Sequence, residues 1–289
     1  MKIKKAVIPA AGWGTRMLPA TKTIPKEMLP VVDKPIIQYN IEEIVAAGIE
    51  DILIITNRGK SAMEDYFDRS PELEDALIKT GKERELLLAR DVSRLANVHF
   101  IRQQEARGLG HAIWCARRFV GDEPFAVLLG DDLMKSQTPV TAQLVKTASE
   151  TGASVVGVQR VARELISKYC SLQVVPAADR LYEVKQLVEK PTPDQVFSLF
   201  AILGRYVLTP RIFALLETLP PGHGGEIQLT DAINLLCKEE RVLALDFEGR
   251  RYDTGCLTGY LEANIDFALA RPDIGPWLTD FLTQKTTKK

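Results

Sequence analysis

Ala6-Val-Ile-Pro-Ala-Ala-Gly-Trp-Gly-Thr-Arg16 is the stretch that decides the fold, because a short apolar run leads directly into a glycine-rich loop. Near-continuous apolarity in the run is typical of a strand that is covered on both faces of its sheet. Gly12 and Gly14 permit positive φ and a close backbone approach, so amide N–H groups can point at phosphate oxygens. Arg16 and, further along, Lys26 supply positive charge. The sequence therefore predicts a phosphate-binding loop after a buried first strand.

Apolar strands and helical patterns alternate through the first half of the chain. Three further runs have the composition of buried strands: Asp51–Thr56, Val98–Ile101 and Phe125–Leu129. A helix is predicted before Gly48, with an apolar stripe formed by Ile37, Ile41, Ile44 and Val45. This alternation predicts a Rossmann-like, doubly wound α/β sheet, in which ligands collect at the carboxyl ends of the strands.

The second half of the chain mixes strands and helices less regularly. Strands are predicted near residues 154–158, 171–175, 184–188 and 201–208, and helices near residues 210–216, 229–238 and 257–270. Residues 71–95 predict a helical excursion on the surface. We expect one domain over residues 1–275, with a Rossmann-like part to about residue 135 and a smaller added β/α part over residues 136–275. Residues 276–289 form a tail that we expect to be frayed from Thr283.

Composition and charge exclude several classes of protein. Lys plus Arg number 37 and Asp plus Glu 38, so the formal net charge of −1 provides no global field for binding nucleic acid or an anionic membrane. Four widely spaced cysteines form no CxxC pair, which favours reduced thiols in a cytoplasmic protein over a zinc site or a disulfide framework. Pro9, Gly12 and Gly14 interrupt the basic start too early for a signal peptide, and no run reaches transmembrane length.

The glycine loop carries a more specific signal than its two glycines. Taken alone, a GxG sequence most often marks a glycine turn before a solvated basic loop. The loop lacks the GK[ST] of a Walker motif, and Met17 replaces the third glycine of a dinucleotide fingerprint. However, Gly12-x-Gly14-Thr15-Arg16-x-x-Pro19-x-Thr21-x-x-x-Pro25-Lys26 resembles the signature loop of enzymes that join a nucleoside triphosphate to a sugar 1-phosphate. Lys26-Glu-Met-Leu-Pro30 narrows the resemblance to the bacterial UTP:glucose-1-phosphate uridylyltransferases.

The resemblance continues in order over about residues 3–270. Its other motifs are Arg58-Gly-Lys60, Glu64-Asp-Tyr-Phe-Asp68, Arg102-Gln103, Gly108-Leu-Gly-His-Ala112, Val188-Glu-Lys-Pro191, Gly204-Arg-Tyr-Val-Leu208, Gly224-Gly-Glu-Ile-Gln-Leu-Thr-Asp231 and Tyr252-Asp253. The resemblance implies a nucleotidyltransferase fold of GT-A type, with the nucleotide in the first part and the sugar in the second. It also implies direct uridylyl transfer from UTP to glucose 1-phosphate with release of pyrophosphate, Mg²⁺ as the cofactor, and a homodimer or homotetramer.

The nucleotide-binding residues follow from the same resemblance. It implies that the nucleotide contacts Ala11, Gly12, Gly14, Thr15, Glu27, Gln103 and Gly108, and that the catalytic charges are Arg16, Lys26 and Lys190. Uracil offers a donor N3–H between two carbonyl groups, which an amide side chain and backbone groups can match without charge. On its position alone, Gln103 could equally be a surface residue at the end of a strand.

The metal and sugar residues are likewise implied by the family. Asp131 follows a buried strand, where a carboxylate can hold a hard cation, although an acidic turn is most often only a turn. The resemblance pairs it with Asp253, about 120 residues away, and no local spacing reveals that pairing. It assigns Glu189 to the sugar hydroxyls and Lys190 to the sugar phosphate. Cys170 stands where the family has a glycine whose backbone approaches the sugar.

Further departures leave alternatives open. Leu199, Cys256, Trp13 and Asn57 differ from the usual family residues, and with Cys170 they lead us to expect an altered sugar pocket or a lowered rate. The competing hypotheses are a non-catalytic regulatory paralogue and a nucleotidylyltransferase for another sugar 1-phosphate. We interpret His99 and His111 as packing or capping residues, and His223 as a solvated loop residue.

Overall fold

A computed structural model gives the structure of residues 1–286, which form a mixed α/β fold around one large sheet. The strands are β1 (Lys5–Pro9), β2 (Pro30–Val31), β3 (Lys34–Pro35), β4 (Asp51–Thr56), β5 (Asn97–Arg102), β6 (Phe125–Leu128), β7 (Asp132–Lys135), β8 (Ser154–Arg160), β9 (Cys170–Ala178), β10 (Leu181–Glu189), β11 (Phe200–Leu208), β12 (Val242–Asp246) and β13 (Arg250–Asp253). The helices are α1 (Ile36–Ala46), α2 (Ser61–Phe67), α3 (Pro71–Lys79), α4 (Glu83–Val92), α5 (Leu109–Cys115), α6 (Arg117–Val120), α7 (Val140–Thr151), α8 (Arg211–Thr218), α9 (Leu229–Leu236), α10 (Leu257–Leu269) and α11 (Gly275–Thr286).

The large sheet has nine strands in the order β5-β4-β1-β6-β11-β8-β12-β10-β9. The first four run parallel, as the strand–helix alternation predicts. β11 is antiparallel to both of its neighbours, β6 and β8, and the strands beyond include a second parallel pair, β8 with β12. The predicted α/β fold with a large mixed sheet is confirmed, and strands from both halves of the chain share this one sheet.

Both faces of the central strands of the sheet are buried, which explains their continuous apolarity. In β1, Val7 packs with the core on the side of α5, α8 and α9, whereas Ala6 and Ile8 pack on the side of α1 and α7. Alternate side chains of one strand therefore enter different cores. At about 25 cal/mol per Å² of buried apolar surface, these two cores supply the main favourable contribution to folding.

Three loops and a two-stranded ribbon bring distant parts of the chain to one edge of this sheet. The loops after β1, β5 and β6 leave the carboxyl ends of parallel strands, where ligand sites form in such folds. A separate two-stranded ribbon pairs β7 with β13, and its register places Asp253 opposite Asp132. The ribbon therefore brings the end of β13 beside the loop that follows β6.

The structure corrects two details of the sequence-based expectations. On α1, Ile37, Ile41 and Ile44 are buried, but Val45 is 38% exposed, because the stripe is narrower than the apolar pattern suggested. At the C-terminus, α11 continues to Thr286, so the expectation of a frayed tail from Thr283 is wrong for the residues that remain in this helix. The last three residues of that expectation, 287–289, lie outside the described part of the chain. The helical excursion over residues 71–95 is confirmed by α3 and α4.

Within residues 1–286, no helix has the length and apolarity needed to cross a membrane.

Candidate active site

The loop after β1 forms one wall of a cavity of about 350 Å³. Four predicted nucleotide-binding residues lie on this wall: Ala11, Gly12, Gly14 and Thr15. Gly14 has φ = 67°, and a Cβ there would lie 3.2–3.3 Å from Thr21 and Lys26, so the turn both needs positive φ and leaves little space for a side chain. The Trp13 ring is 68% exposed at the same wall. The loop therefore presents its backbone to the cavity.

Two side chains from the segment after β4 hold this loop from behind. Asn57 Nδ2 donates to Ala11 O at 2.5 Å, and Lys60 Nζ donates to Ala10 O at 2.5 Å. The amide of Ala10 donates in turn to Ile55 O at 2.8 Å. Consecutive carbonyl groups of the loop are thus held by side-chain donors, which orders the backbone on the cavity side. Asn57 is one of the departures from the family pattern, and this contact is available because a side chain is present there.

Glu27, which the resemblance assigns to the nucleotide, lies beneath the loop. Its side chain is fully buried beneath the loop, and its Oε2 accepts from Lys60 Nζ at 2.9 Å. Burial raises the pKa of Glu27, and the charges of Lys60 and Lys26 offset part of that effect. Burial also lowers the pKa of Lys60, again with partial compensation by Glu27. Glu27 lines neither of the two cavities at the site, so the structure places it as a support of the loop and not in the cavity wall.

Gln103 and Gly108 form the opposite wall of the same cavity. Gln103 follows β5 directly, and its Nε2 donates to Gly108 O at 3.1 Å. Gly108 has φ = 102°, and a Cβ there would lie 2.7 Å from both Ile227 O and Glu226 Cβ. Only glycine fits this position, so the chain can turn sharply into α5 beside the Gln103 amide.

Asp131 and Asp253 converge as the resemblance implies, and both are paired with cations. Lys26 Nζ lies 2.5 Å from Asp131 Oδ2, and Arg16 Nη1 lies 3.0 Å from Asp253 Oδ2. Arg16 Nη2 also lies 3.7 Å from Asp131, so its guanidinium bridges the two carboxylates. Burial opposes the charge of Asp131, but Lys26 and Arg16 outweigh it and lower the pKa of this carboxyl group. Asp131 is therefore ionised and can serve as a ligand for a hard cation.

Asp132, the neighbouring carboxylate, has a different environment. Its side chain is buried, and its Oδ1 accepts from Arg251 Nε at 2.7 Å. Arg251 Nη1 donates to the hydroxyl of Tyr169 at 2.7 Å. Arg251 and Tyr169 were not predicted from the sequence, yet one signal was available. Arg251 and Asp253 are two residues apart on a strand, so their side chains lie on the same face of β13.

A second cavity, of about 550 Å³, also has the two carboxylates in its lining. Besides Arg16, Asp131 and Asp253 it is lined by Asp132, Ser167, Lys168, Tyr169, Lys190 and Arg251. Lys190 has φ = 46°, a left-handed conformation that costs a non-glycine residue of the order of 1 kcal/mol, and its amide donates to Tyr169 O at 2.8 Å. This strained turn directs the chain out of β10 at the cavity, and Lys168 is a second lysine that the sequence did not single out.

Glu189 and Cys170 lie next to this cavity but do not line it. They are register partners at the ends of β10 and β9. Glu189 Oε2 accepts from the Thr230 hydroxyl at 2.7 Å, which fixes the carboxylate. The Cys170 side chain is 4% exposed and packs in the core, and burial raises the pKa of its thiol to about 12. The sulfur therefore fills core space.

Leu199 and Cys256, which also differ from the usual family residues, have defined positions in the structure. Leu199 packs against the core on the α1 side of the sheet. Cys256 precedes α10, and its Sγ donates to Asp253 O at 3.3 Å, so its thiol contacts the backbone of a site carboxylate. Neither residue lines the two cavities.

Asp131 lies in the wall of both cavities, which joins them into one site. One cavity offers backbone groups and an amide, as a nucleoside requires, and the other offers Arg16, Lys168, Lys190 and Arg251, as a phosphate requires. Among residues 1–286, no group of three or more His, Cys, Asp and Glu side chains could hold a metal ion. Two carboxylates can still suffice for Mg²⁺, which usually keeps several waters.

The chain is similar to known proteins over nearly its whole length. The family described as Nucleotidyl transferase matches residues 5–268. The UTP–glucose-1-phosphate uridylyltransferase of Bacillus subtilis (strain 168) is 53% identical over 281 residues, which are 97% of this chain and 96% of the relative. A UDP-glucose pyrophosphorylase solved in complex with UDP-glucose is similar with a TM-score of 0.86 and 44% identity, covering 93% of this chain and 100% of that chain. A UTP-bound UGPase from Acinetobacter baumannii has a TM-score of 0.89 and 38% identity, covering 97% of this chain and 99% of that chain.

These similarities extend over nearly the whole chain and confirm the resemblance that the motifs carry. The chain belongs to the nucleotidyl transferase family, among the bacterial UTP–glucose-1-phosphate uridylyltransferases.

Proposed function

We propose that the protein transfers a uridylyl group from UTP to glucose 1-phosphate, giving UDP-glucose and pyrophosphate. The observation that carries this proposal is the meeting of two chemically different cavities at Asp131. One suits a nucleoside and the other suits a sugar phosphate, so the two reacting phosphates would meet beside Asp131, Arg16 and Lys26. The relatives support the same substrates, since the names of solved structures include UDP-glucose and UTP.

In this proposal the loop after β1 and the wall opposite it bind UTP. The backbone of Ala11 and Gly12 and the Gln103 amide face the uracil, because neutral donors and acceptors match its edge without charge. Amides of Gly14 and Thr15 cradle the phosphates together with Arg16, whose guanidinium can contact two oxygens at once. Glu27 holds Lys60, which in turn donates to the loop carbonyl group of Ala10.

Asp131 and Asp253 are the residues that would hold Mg²⁺. The donor set fits, because both are carboxylates, Asp131 is ionised, and the two are close enough for one guanidinium to bridge them. When bound, the ion would neutralise charge on the phosphate oxygens of the nucleotide. Lys26 and Arg16 would then exchange their carboxylate partners for phosphate oxygens.

The reaction is a direct displacement. A phosphate oxygen of glucose 1-phosphate forms a bond to the α-phosphorus of UTP, while the bond from that phosphorus to the bridging oxygen of the β-phosphate breaks and pyrophosphate leaves. The attacking phosphate is already anionic, so neither a protein nucleophile nor a general base is required. Catalysis rests on alignment and on charge stabilisation by Arg16, Lys26 and Lys190. Glu189, held by Thr230, orients the sugar hydroxyls, and the backbone at Cys170 borders the sugar.

We further propose a homodimer or homotetramer. Helix α10 exposes an apolar stripe with a spacing of four residues: Leu257, Leu261, Ile265 and Leu269. Such a stripe on one side of a helix is suited to burial against a second copy of the chain.

The proposal includes one domain over residues 1–275, with a nucleotide-binding part to about residue 135. It also includes a cytoplasmic location, which suits four cysteines that are free thiols.

Pyrophosphate release with UTP, Mg²⁺ and a panel of sugar 1-phosphates tests the function. Asp131→Asn and Lys190→Ala should each lower kcat by about 10²–10³, the typical cost of losing one electrostatic stabiliser. Lys185→Ala is the matched control, because Lys185 lies on β10, the strand that leads to Lys190, but is exposed and pairs with Glu183. Turnover that survives both site substitutions would refute the assigned centre, and preference for another sugar would support the altered-pocket hypothesis.

A further inference from the structure

The orientation of the Gln103 amide is fixed by two contacts. Its Nε2 donates to Gly108 O at 3.1 Å and lies 3.0 Å from His111 Nδ1. A carbonyl oxygen can only accept, so Nε2 and not Oε1 must face Gly108. The second hydrogen of Nε2 then points at His111, whose Nδ1 acts as the acceptor. This arrangement requires a neutral imidazole that carries its proton on Nε2.

His111 is itself held in place behind Gln103. It lies in the first turn of α5, and its ring stacks on Trp114 with centroids 5.9 Å apart and planes at 21°. The Arg117 guanidinium lies over the Trp114 ring, 3.5 Å from the ring centroid. Burial and the positive charge of Arg107 lower the pKa of His111, and Glu105 offsets part of this effect, so the net shift is in the direction of the neutral ring. His111 does not line the cavity, so it acts on a ligand only through Gln103.

These contacts determine what Gln103 can offer to a base. Both hydrogens of Nε2 are engaged, so the hydrogen-bonding capacity left for a ligand in the cavity is acceptance at Oε1. Uracil and thymine carry a donor at N3, whereas cytosine carries an acceptor there. A reversed amide would place Oε1 against Gly108 O, which can only accept, and would remove the donor of that carbonyl group.

We infer that His111 is a positioning residue that sets base specificity, by holding Gln103 so that it accepts from N3–H and rejects cytosine. This inference rests on the proposed binding of UTP in this cavity. It adds to the interpretation of His111 as a packing residue, which the stacking on Trp114 bears out. Packing alone makes no distinction between the two ring nitrogens, whereas this role needs an acceptor at Nδ1. The capping alternative lacks support, because within residues 1–286 the N-cap of α5 makes no side-chain hydrogen bond.

The test compares the dissociation constants of UTP and CTP by calorimetry in wild type and His111→Phe. Phenylalanine keeps a ring to stack on Trp114 but removes the acceptor. We expect the preference for UTP over CTP to fall about fivefold, the loss of one hydrogen bond of ordinary strength. His111→Gln restores an acceptor and should retain most of the preference. Trp114→Phe is the packing control and should leave the preference unchanged.

The outcomes separate this inference from the proposed function. If wild type prefers UTP and His111→Phe keeps that preference, the inference is overturned while the function stands. The inference is also overturned if His111→Phe does not fold and His111→Gln loses the preference for UTP over CTP. If wild type binds UTP without releasing pyrophosphate and His111→Phe loses the preference, the inference stands and the enzymatic function fails. Equal binding of UTP and CTP by wild type overturns the inference.

Discussion

Replacing Arg205 by methionine should lower the free energy of unfolding by about 3–5 kcal/mol, because it leaves a buried carboxylate without its partner. Arg205 is 1% exposed, and its Nη2 and Nε donate to Glu43 at 2.7 and 3.1 Å. Nη2 also donates to Asn40 Oδ1 at 2.8 Å and to Asp132 O at 3.0 Å. The substitution therefore removes the charge that neutralises Glu43 and the donors of two further buried acceptors. A domain with about 5–15 kcal/mol of stability should remain folded.

The loss should depend on pH with a defined sign. Burial acts to raise the pKa of Glu43, but the charge and hydrogen bonds of Arg205, with those of Thr141, outweigh it and lower the pKa. In wild type this carboxylate stabilises the fold above its unfolded pKa, and the contribution is lost as the pH falls through the lower folded pKa. In Arg205→Met burial dominates and raises the pKa of Glu43. As the pH falls, this carboxyl group therefore becomes protonated at a higher pH in the variant than in wild type, and protonation removes its unpaired buried charge. The difference between the two proteins should shrink from about pH 7 to about pH 5.

Urea denaturation followed by tryptophan fluorescence and circular dichroism measures this difference. Arg211→Met is the matched control, because Arg211 makes a similar two-point contact with Glu239 at 2.6 and 3.1 Å but is exposed, and its loss should be small. The double variant Arg205→Met/Glu43→Met should recover part of the stability. The assigned role of Arg205 is refuted if Arg205→Met costs no more than Arg211→Met, or if its cost is the same at both pH values.

Three further predictions concern the site and the assembly. Asn57→Gly should raise the KM for UTP about threefold to tenfold, with a smaller change in kcat, because it removes the donor that fixes Ala11 O; an unchanged KM would contradict this role. Thr230→Val should raise the KM for the sugar 1-phosphate by a similar factor and leave the KM for UTP unchanged, since it frees only Glu189, and equal effects on both substrates would disprove it. Leu261→Glu should reduce the molar mass in light scattering towards the monomer, and an unaltered mass would exclude the α10 stripe as the interface.

Local patterns were sufficient to predict much of the fold. Buried strands such as β1 and β4 are short, continuous apolar runs, and the structure covers them on both faces. Val45 shows a limit of such patterns, because the spacing of apolar residues on a helix does not reveal how far the elements packed against that helix extend. Helix α11 shows a second limit, since its polar composition did not indicate that the helix continues to Thr286.

The arrangement of the site residues was harder to predict from local sequence than the strands and helices were. Asp131 and Asp253 meet because the ribbon of β7 and β13 pairs residues about 120 positions apart, and only the family resemblance supplied that partnership. The place of Glu27 depends on Lys60, 33 residues further on, so the sequence alone could not show that this carboxylate is buried under the loop. Arg251 was predictable in principle from strand alternation with Asp253.

The most direct measurement is the steady-state rate of pyrophosphate release by the unaltered protein with UTP, Mg²⁺ and glucose 1-phosphate. We predict turnover with a kcat in the ordinary range of about 1–10³ s⁻¹, which disappears when any one of the three components is omitted. Tight UTP binding without pyrophosphate release, with glucose 1-phosphate or any other sugar 1-phosphate, would contradict the proposed function and identify a regulatory paralogue.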